Sequence, residues 1–297
     1  MSKQIISRAG SKGIILAGGH GSRLTPISLA ISKQLVPVFD KPMIYYPLTS
    51  LILAGIQEVA IVSQEENLPL FKRLLGNGSK WGIGIEYFVQ NEPKGIADGL
   101  IVTKDFINQS STMLILGDNL FHGMGLGASL GESGNKGAQI YAKEVADPSR
   151  YGVVELAPSG EPLALVEKPH SPNSRLAVTG IYHLDESAPD RASSLVPSSR
   201  GELEIVDLLK SYLNEGMLSV KTLGRGEVWL DTGTFESLNQ AAEYVRIVQE
   251  RSGLLVGSPD EAAWRRHLID TQQLSDLVAA LGDTSYSRLL RRLVHRG

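Results

Sequence analysis

The chain has 297 residues, of which 42% are hydrophobic and 21% charged, a composition typical of a globular protein with one or two domains. Its net charge of -3 provides no positive field for a polyphosphate backbone, and its lack of cysteine excludes disulfides, thiolate zinc sites and cysteine nucleophiles. The sequence carries neither an apolar signal segment nor a run of about 20 apolar residues. We therefore expect a cytoplasmic protein that binds neither nucleic acid nor a membrane.

The first half of the chain alternates short apolar runs with segments of helical spacing. The strand-like runs are residues 13–17, 59–63, 85–89 and 112–116, and the helix-like segments are residues 43–54, 68–75 and 96–106. Such alternation predicts a mostly parallel sheet with helices on both faces.

The second half is richer in strand-like segments and then becomes helical. Strands are predicted at residues 139–145, 151–156, 163–167, 178–184 and 218–223, and helices at residues 203–212 and 235–248. After Gly253 the pattern is helical to the end of the chain. The simplest architecture is one α/β core followed by a helical C-terminal appendage.

The strongest local signal is the glycine loop Gly18-Gly19-His20-Gly21-Ser22-Arg23, which directly follows the first apolar run. A strand, a glycine loop and a following helix would form a phosphate cradle of backbone N–H groups. The loop is not a P-loop, because Arg23 stands where Gly-Lys-Ser/Thr would be required. Arg23 and Lys33 offer two cations for phosphate oxygens. The alternative is an ordinary glycine turn with two surface cations.

Two aspartates follow apolar runs that are far apart in the sequence. Asp118 comes just after the strand-like run that ends at residue 116, and Asp231 follows residues 228–230. If the fold brings them together, their oxygens could bind Mg²⁺ together with substrate phosphates. The alternative is that each aspartate belongs to a turn or a helix cap.

Glu167-Lys168-Pro169 places an acid and a base side by side at the end of an apolar run. Pro169 predicts an extended backbone at Lys168. Adjacent strand residues point to opposite faces, so a bend or bulge is needed if both side chains contact one ligand. The alternative is a surface ion pair.

Other patterns indicate different classes of protein. Residues 127–131 match the nucleophile elbow of hydrolases, with Ser129 as nucleophile, and residues 123–128 match a loose dinucleotide pattern, but neither directly follows a predicted strand. The basic C-terminus is interpreted as the solvated face of an amphipathic helix that carries Leu289, Leu290 and Leu293. The six histidines have no metal-ligand spacing. A binding module without turnover also remains open, although the aspartates, Arg23 and Lys168 favour an enzyme.

Taken together, these motifs resemble those of the bacterial glucose-1-phosphate thymidylyltransferases, a group of sugar nucleotidylyltransferases. The similar segments are KGIILAGGHGSRL (12–24), AISKQL (30–35), DKPMIYYPL (40–48), LGDN (116–119), RYGVVE (150–155), EKP (167–169), VTG (178–180), RGELEI (200–205) and WLDTGT (229–234).

The resemblance implies a three-layer α/β/α, Rossmann-like nucleotidyltransferase core at residues 12–252 and a helical region at residues 253–297. It implies an Mg²⁺-assisted reaction of dTTP with α-D-glucose 1-phosphate that gives dTDP-glucose and pyrophosphate, the first step toward dTDP-linked deoxysugars such as rhamnose. It also implies a homotetramer that a downstream dTDP-sugar inhibits at a second site. The alternative within the class is a UTP-using or broader nucleotidylyltransferase.

The resemblance also implies roles for individual residues. Arg23, Lys33, Lys168 and Asp118 would be catalytic, and Asp118 and Asp231 would bind the metal. The nucleotide would contact Leu16, Gly18, Gly19, Gly21, Ser22, Arg23, Gln34, Gln90, Gly95 and Asp118. The sugar phosphate would contact Gly152, Glu167, Lys168 and Val178.

At the nucleobase end of the predicted site, Gln90 suits a pyrimidine base, whereas two nearby residues depart from the family pattern. The amide of Gln90 offers a donor and an acceptor that match the O4 and N3–H edge of thymine or uracil. Asp98 and Gly99, however, stand where many relatives carry Gln and Ala. A carboxylate that reached the base edge would favour a donor such as the amino group of cytosine. Residues 1–11 have no assigned role.

Overall fold

The computed structural model describes residues 10–19, 21–131 and 136–295. Within these residues the strands are β1 (Lys12–Leu16), β2 (Pro37–Val38), β3 (Lys41–Pro42), β4 (Glu58–Ser63), β5 (Gly84–Val89), β6 (Thr112–Leu116), β7 (Asn119–His122), β8 (Ala138–Glu144), β9 (Gly152–Leu156), β10 (Pro162–Glu167), β11 (Leu176–Leu184), β12 (Leu218–Thr222) and β13 (Val228–Asp231).

Among the described residues, nine strands form one mixed sheet, and two shorter pairs lie outside it. The main path runs β10-β9-β11-β6-β1-β4-β5, with β8 paired to β11 and β12 paired to β8. The segment β6-β1-β4-β5 is parallel throughout, whereas β11 and β10 run against the other strands. This agrees with the predicted mostly parallel sheet.

Helices cover both faces of the sheet. The α-helices in the described ranges are α1 (Tyr45–Ala54), α2 (Leu68–Leu75), α3 (Asp98–Val102), α4 (Lys104–Ile107), α5 (Leu126–Gly131), α6 (Ala188–Ser193), α7 (Ile205–Asn214), α8 (Phe235–Ser252), α9 (Pro259–Arg265), α10 (Thr271–Ala280) and α11 (Ser285–Val294).

Neighbouring residues of β1 show why two helical layers form. Ile15 packs into one buried cluster with side chains of α1, α2, α5 and α9 to α11, while Ile14 packs into a second cluster with α3, α4, α6 and α7. Successive strand residues point to opposite faces, so a strand that is apolar throughout needs a cover on each side. The result is the three-layer α/β/α arrangement that the resemblance implied.

The C-terminal helices pack against the same cluster as α1. Leu274 and Leu290 are buried there, and Trp81 of the core donates from Nε1 to Asp260 of α9 at 3.1 Å. The proposed boundary after residue 252 coincides with the end of α8. Its status as a domain boundary stays a prediction.

Several predicted elements differ from the structure. The helix expected at residues 96–106 is two helices, α3 and α4, separated at Thr103. The helix expected directly after the glycine loop is wrong: the chain forms the 3₁₀ turns Ser22–Leu24, Ile27–Leu29 and Lys33–Leu35 instead. In addition, β7 and β13 form an antiparallel ribbon that no sequence pattern indicated.

Candidate active site

The glycine loop leaves β1 at the edge where the parallel strands end. Gly19 and Gly21 have φ values of 96° and 56°, in the left-handed region that favours glycine. Gln34 is buried and donates from Nε2 to the Gly18 carbonyl at 3.5 Å, and Ser32 donates from Oγ to Gln34 Oε1 at 2.6 Å. The loop can offer its N–H groups to an anion. Because a 3₁₀ turn follows it and not an α-helix, no α-helix dipole adds to their effect. His20 lies outside the described residues.

Lys33 lies beside the first of the two aspartates. Its Nζ forms an ion pair with Asp118 Oδ2, and the Asn119 amide donates to Asp118 Oδ1 at 2.9 Å. Burial alone would raise the pKa of Asp118, but Lys33 and the hydrogen bonds outweigh it and hold this pKa below its usual range. The carboxylate is therefore ionised at neutral pH, with Lys33 as its counter-ion.

The ribbon of β7 and β13 brings the second aspartate to the same place. Asp231 is paired in register with Asn119, and Thr232 donates from its backbone N–H and its Oγ1 to the Asp118 carbonyl at 3.0 and 2.7 Å. Asp231 accepts from Tyr151 Oη at 2.8 Å and lies 3.3 Å from Arg150 Nη2. Burial, followed by the contact with Asp231, raises the pKa of Tyr151 to about 12, so its hydroxyl is a donor.

The two aspartates suit a hard divalent cation. Their oxygens are the ligand type that Mg²⁺ prefers, and Mg²⁺ usually keeps several waters and binds substrate phosphates. Among the described residues no group of three or more His, Cys, Asp or Glu side chains could hold a metal. That Asp118 and Asp231 bind the ion as a pair, with a bound triphosphate supplying further oxygens, stays a prediction.

The four residues predicted for the sugar phosphate meet at the other end of the cleft. Glu167 is paired in register with Gly152, where a Cβ would lie 3.3 Å from Glu167 Oε2 and 3.8 Å from Val178 Cβ. Lys168 has a φ of 43°, donates from its N–H to the Tyr151 carbonyl at 3.0 Å, and places Nζ 3.0 Å from Glu167 Oε1. The expected extended backbone at Lys168 is thus wrong, because the chain makes the bend that both side chains require.

At the end of the cleft that is predicted to hold the nucleobase, Gln90 follows β5 and Gly95 lies opposite it. Gly95 has a φ of 98°, and a Cβ there would lie 2.4 Å from the Leu203 carbonyl oxygen, so the position requires glycine. Gln90 Nε2 donates to the Gly95 carbonyl at 3.2 Å and to Asp98 Oδ2 at 2.7 Å. With both amide hydrogens engaged, Gln90 offers an acceptor alone, not the expected donor and acceptor.

All sixteen predicted site residues line one cleft of about 450 Å³, a volume that suits a small ligand. They are Leu16, Gly18, Gly19, Gly21, Ser22, Arg23, Lys33, Gln34, Gln90, Gly95, Asp118, Gly152, Glu167, Lys168, Val178 and Asp231. The structure brings their positions together, and the role of each stays a prediction. Asp98 is not among the lining residues.

Sequence reasoning missed further lining residues, among them Arg150, Tyr151, Arg200 and Trp229. Arg200 binds Glu204 through Nη2 at 2.8 and 2.9 Å, and this bond raises the pKa of the guanidinium further. The rings of Tyr151 and Trp229 meet edge to face, with centroids 4.9 Å apart. All four lie in segments that carry the resemblance, which is the signal that could have found them.

The rival interpretations fit the structure poorly. Ser129 lies inside α5, and an elbow nucleophile requires a sharp turn after a strand. A strand, β7, does precede residues 123–128, contrary to our expectation, but β7 belongs to the ribbon, and none of these residues lines the cleft. The amphipathic C-terminal helix is confirmed for residues 285–294, with Leu290 and Leu293 buried. Arg296, the last arginine of the basic C-terminus, lies outside the described residues. Among the residues that are described, no helix is long and apolar enough to span a membrane.

Comparisons with known proteins identify the family to which the chain belongs. The model of the family described as Nucleotidyl transferase matches residues 12–246. The glucose-1-phosphate thymidylyltransferase of Mycolicibacterium smegmatis is 47% identical over 96% of this chain and 99% of the relative. The enzyme of the same name from Neisseria meningitidis is 46% identical over 96% of this chain and 100% of the relative.

Comparison with solved structures supports the same family. A Bacillus anthracis chain assigned as a glucose-1-phosphate thymidylyltransferase has a TM-score of 0.74 and 37% identity, covering 80% of this chain and 95% of that one. A UDP-glucose pyrophosphorylase with a TM-score of 0.69 and 24% identity, covering 80% of this chain and 98% of that one, supports the fold alone. The chain therefore belongs to the nucleotidyl transferase family and, within it, to the glucose-1-phosphate thymidylyltransferases.

Proposed function

We propose that the chain joins dTTP and α-D-glucose 1-phosphate to give dTDP-glucose and pyrophosphate in the cytoplasm. The observation that carries this proposal is the single cleft in which a glycine loop, two aspartates and the Glu167–Lys168 pair meet. Near-full-length identity of 47% to glucose-1-phosphate thymidylyltransferases supports the choice of substrates. The product would supply the synthesis of dTDP-linked deoxysugars.

The chemistry needs alignment more than proton transfer. The sugar phosphate is already ionised at neutral pH, so its oxygen can attack the α-phosphorus without a strong general base. The difficulty is that two anions repel each other and must be held in line. Cationic side chains in fixed positions remove that repulsion and stabilise the charge that develops on the phosphate oxygens.

The cations of this cleft are distributed along the expected reaction path. Arg23, which is exposed beside the glycine loop, would bind the departing pyrophosphate, and Lys33 would neutralise the triphosphate. Lys168 and Arg200 line the sugar end and would bind the phosphate of the nucleophile. Mg²⁺ held by Asp118 and Asp231 would neutralise charge on the triphosphate.

The sugar itself would be selected by Glu167 and by the backbone at Gly152 and Val178. The Glu167 carboxylate can accept hydrogen bonds from sugar hydroxyls, and the absence of a side chain at Gly152 leaves the space next to it open. Tyr151 and Trp229 add an aromatic wall of the kind that packs against a sugar ring.

A pyrophosphate-release assay with glucose 1-phosphate and five triphosphates tests the proposal. We expect dTTP and UTP to exceed ATP, GTP and CTP in kcat/KM, because a purine needs more room and cytosine lacks the N3–H donor. One methyl group in an apolar pocket is worth about 1–3 kcal/mol, so UTP should be used appreciably. A preference for CTP or for a purine triphosphate, or no turnover with any pyrimidine triphosphate, would refute the proposal.

The resemblance also supports a homotetramer that a downstream dTDP-sugar inhibits at a second site. Sedimentation equilibrium should give four times the chain mass. A dTDP-deoxysugar should inhibit without competing with glucose 1-phosphate. A monomer, or inhibition that is purely competitive with both substrates, would contradict this part of the proposal.

A further inference from the structure

We infer that Asp98 determines the nucleobase specificity of this enzyme by holding the side-chain amide of Gln90 in one orientation. The inference rests on the proposed function, and it assigns a positioning role to a residue that does not line the cleft. Asp98 would act on the base only through Gln90.

The orientation of the amide follows from the two groups that it contacts. Gln90 is 9% exposed, and its Nε2 lies 3.2 Å from the Gly95 carbonyl oxygen and 2.7 Å from Asp98 Oδ2. A carbonyl and a carboxylate can accept hydrogen bonds but cannot donate them. Only the NH₂ group can face both, so the amide cannot flip without losing two hydrogen bonds.

The carbonyl of Gln90 consequently faces the glycine loop. A Cβ on Gly18 would lie 3.3 Å from Gln90 Oε1, and both residues line the cleft. An acceptor fixed at this place suits the N3–H of thymine or uracil. Cytosine presents a lone pair at N3 and would have to donate from its amino group, one ring position away, which would shift the ring in the cleft.

Gly99, the residue after Asp98, explains how the short aspartate side chain reaches Gln90. Asp98 is the first residue of α3, and a Cβ on Gly99 would lie 2.5 Å from Leu16 Cδ2. The start of α3 therefore packs more closely against Leu16 than an alanine would allow. The two departures from the family pattern act together: Gly99 permits the close approach, and Asp98 uses it to hold Gln90.

The experiment compares UTP with CTP, because the two share a ribose and differ at the base edge. In the pyrophosphate-release assay with glucose 1-phosphate, we expect wild-type protein to prefer UTP. In Asp98→Ala the Gly95 carbonyl alone still holds the NH₂ group, so turning the amide to donate to N3 of cytosine costs one hydrogen bond instead of two. The UTP/CTP ratio of kcat/KM should therefore fall about tenfold, as expected for one net hydrogen bond. Asp98→Asn, which keeps an acceptor but adds a donor, should give a smaller fall.

Asp105→Ala is the matched control. Asp105 lies in the first turn of α4, as Asp98 lies in the first turn of α3, but Asp98 is half-buried whereas Asp105 is exposed. It should leave the UTP/CTP ratio unchanged. If Asp98→Ala lowers the use of UTP and CTP by the same factor, Asp98 merely supports the helix start and the inference is wrong. A wild-type protein inactive with every pyrimidine triphosphate would refute the proposed function as well.

Discussion

The ion pair between Lys33 and Asp118 should contribute measurably to the stability of the protein without metal. Each side chain keeps 18% of its surface exposed. A fully exposed pair contributes about 0.2–1 kcal/mol, and breaking a buried pair costs about 3–5 kcal/mol. For this intermediate exposure we expect a coupling free energy of about 2 kcal/mol between Lys33→Met and Asp118→Asn, a roughly 30-fold change in the unfolding equilibrium.

A double-mutant cycle in urea, followed by tryptophan fluorescence in the presence of a chelator, measures this coupling. The exposed pair Lys104–Asp190, whose side chains are 56% and 74% exposed, provides a matched control cycle with an expected coupling below about 0.5 kcal/mol. With Mg²⁺ and dTTP present, Lys33 should contact phosphate, and its coupling to Asp118 should decrease. A chelator-state coupling no larger than that of the control pair would refute the reasoning.

Three further predictions concern single sites. Asp231→Asn should lower turnover more than about 100-fold with little change in Tm, and near-normal activity in magnesium would show that Asp231 does not bind the metal. Arg23→Ala should chiefly raise KM for the triphosphate, Lys168→Ala chiefly KM for glucose 1-phosphate, and each should lower kcat; equal effects on both substrates would contradict these roles. Asp185 accepts hydrogen bonds from Gly137, Ser187 and Tyr212, so Asp185→Asn should lower the free energy of unfolding by about 1–3 kcal/mol at pH 7. Burial alone would raise the pKa of Asp185, but these hydrogen bonds outweigh it and lower that pKa. The ionised carboxylate therefore stabilises the folded state above the unfolded-state pKa of about 3.9, and this stabilisation is lost as the pH falls through the folded-state pKa. Denaturation curves should therefore show a smaller difference from wild type below about pH 4, and a constant difference would exclude this cause.

The elements that the sequence predicted well are those with long, uniform apolar patterns. The runs that became β4 and β6 are buried on both faces, and the amphipathic spacing of α2 matched its observed bounds. In such segments local pattern and tertiary packing favour the same structure. The general position of the site followed as well, because it lies where the parallel strands end.

The elements that the sequence missed depend on contacts between distant residues. All four residues of β13 are half-buried and show no alternation, so their pairing with β7 left no local pattern. The left-handed backbone at Lys168 is held by a bond to the Tyr151 carbonyl, which overrides the usual effect of the following proline. The contact between Asp98 and Gln90 likewise needs the fold, because only the packing of α3 against β1 brings the two side chains into reach.

The ribbon of β7 and β13 has a consequence for how the protein matures. Thr232 and the Asp118 carbonyl are 114 positions apart in the chain, so the two aspartates meet only after a large part of the chain has folded. A partly folded chain would hold the aspartates separately and would bind the proposed ion and triphosphate only weakly. Ligands that bind the native state alone stabilise it by mass action. Substrate in the cell would thus also act as a selective stabiliser of correctly completed molecules.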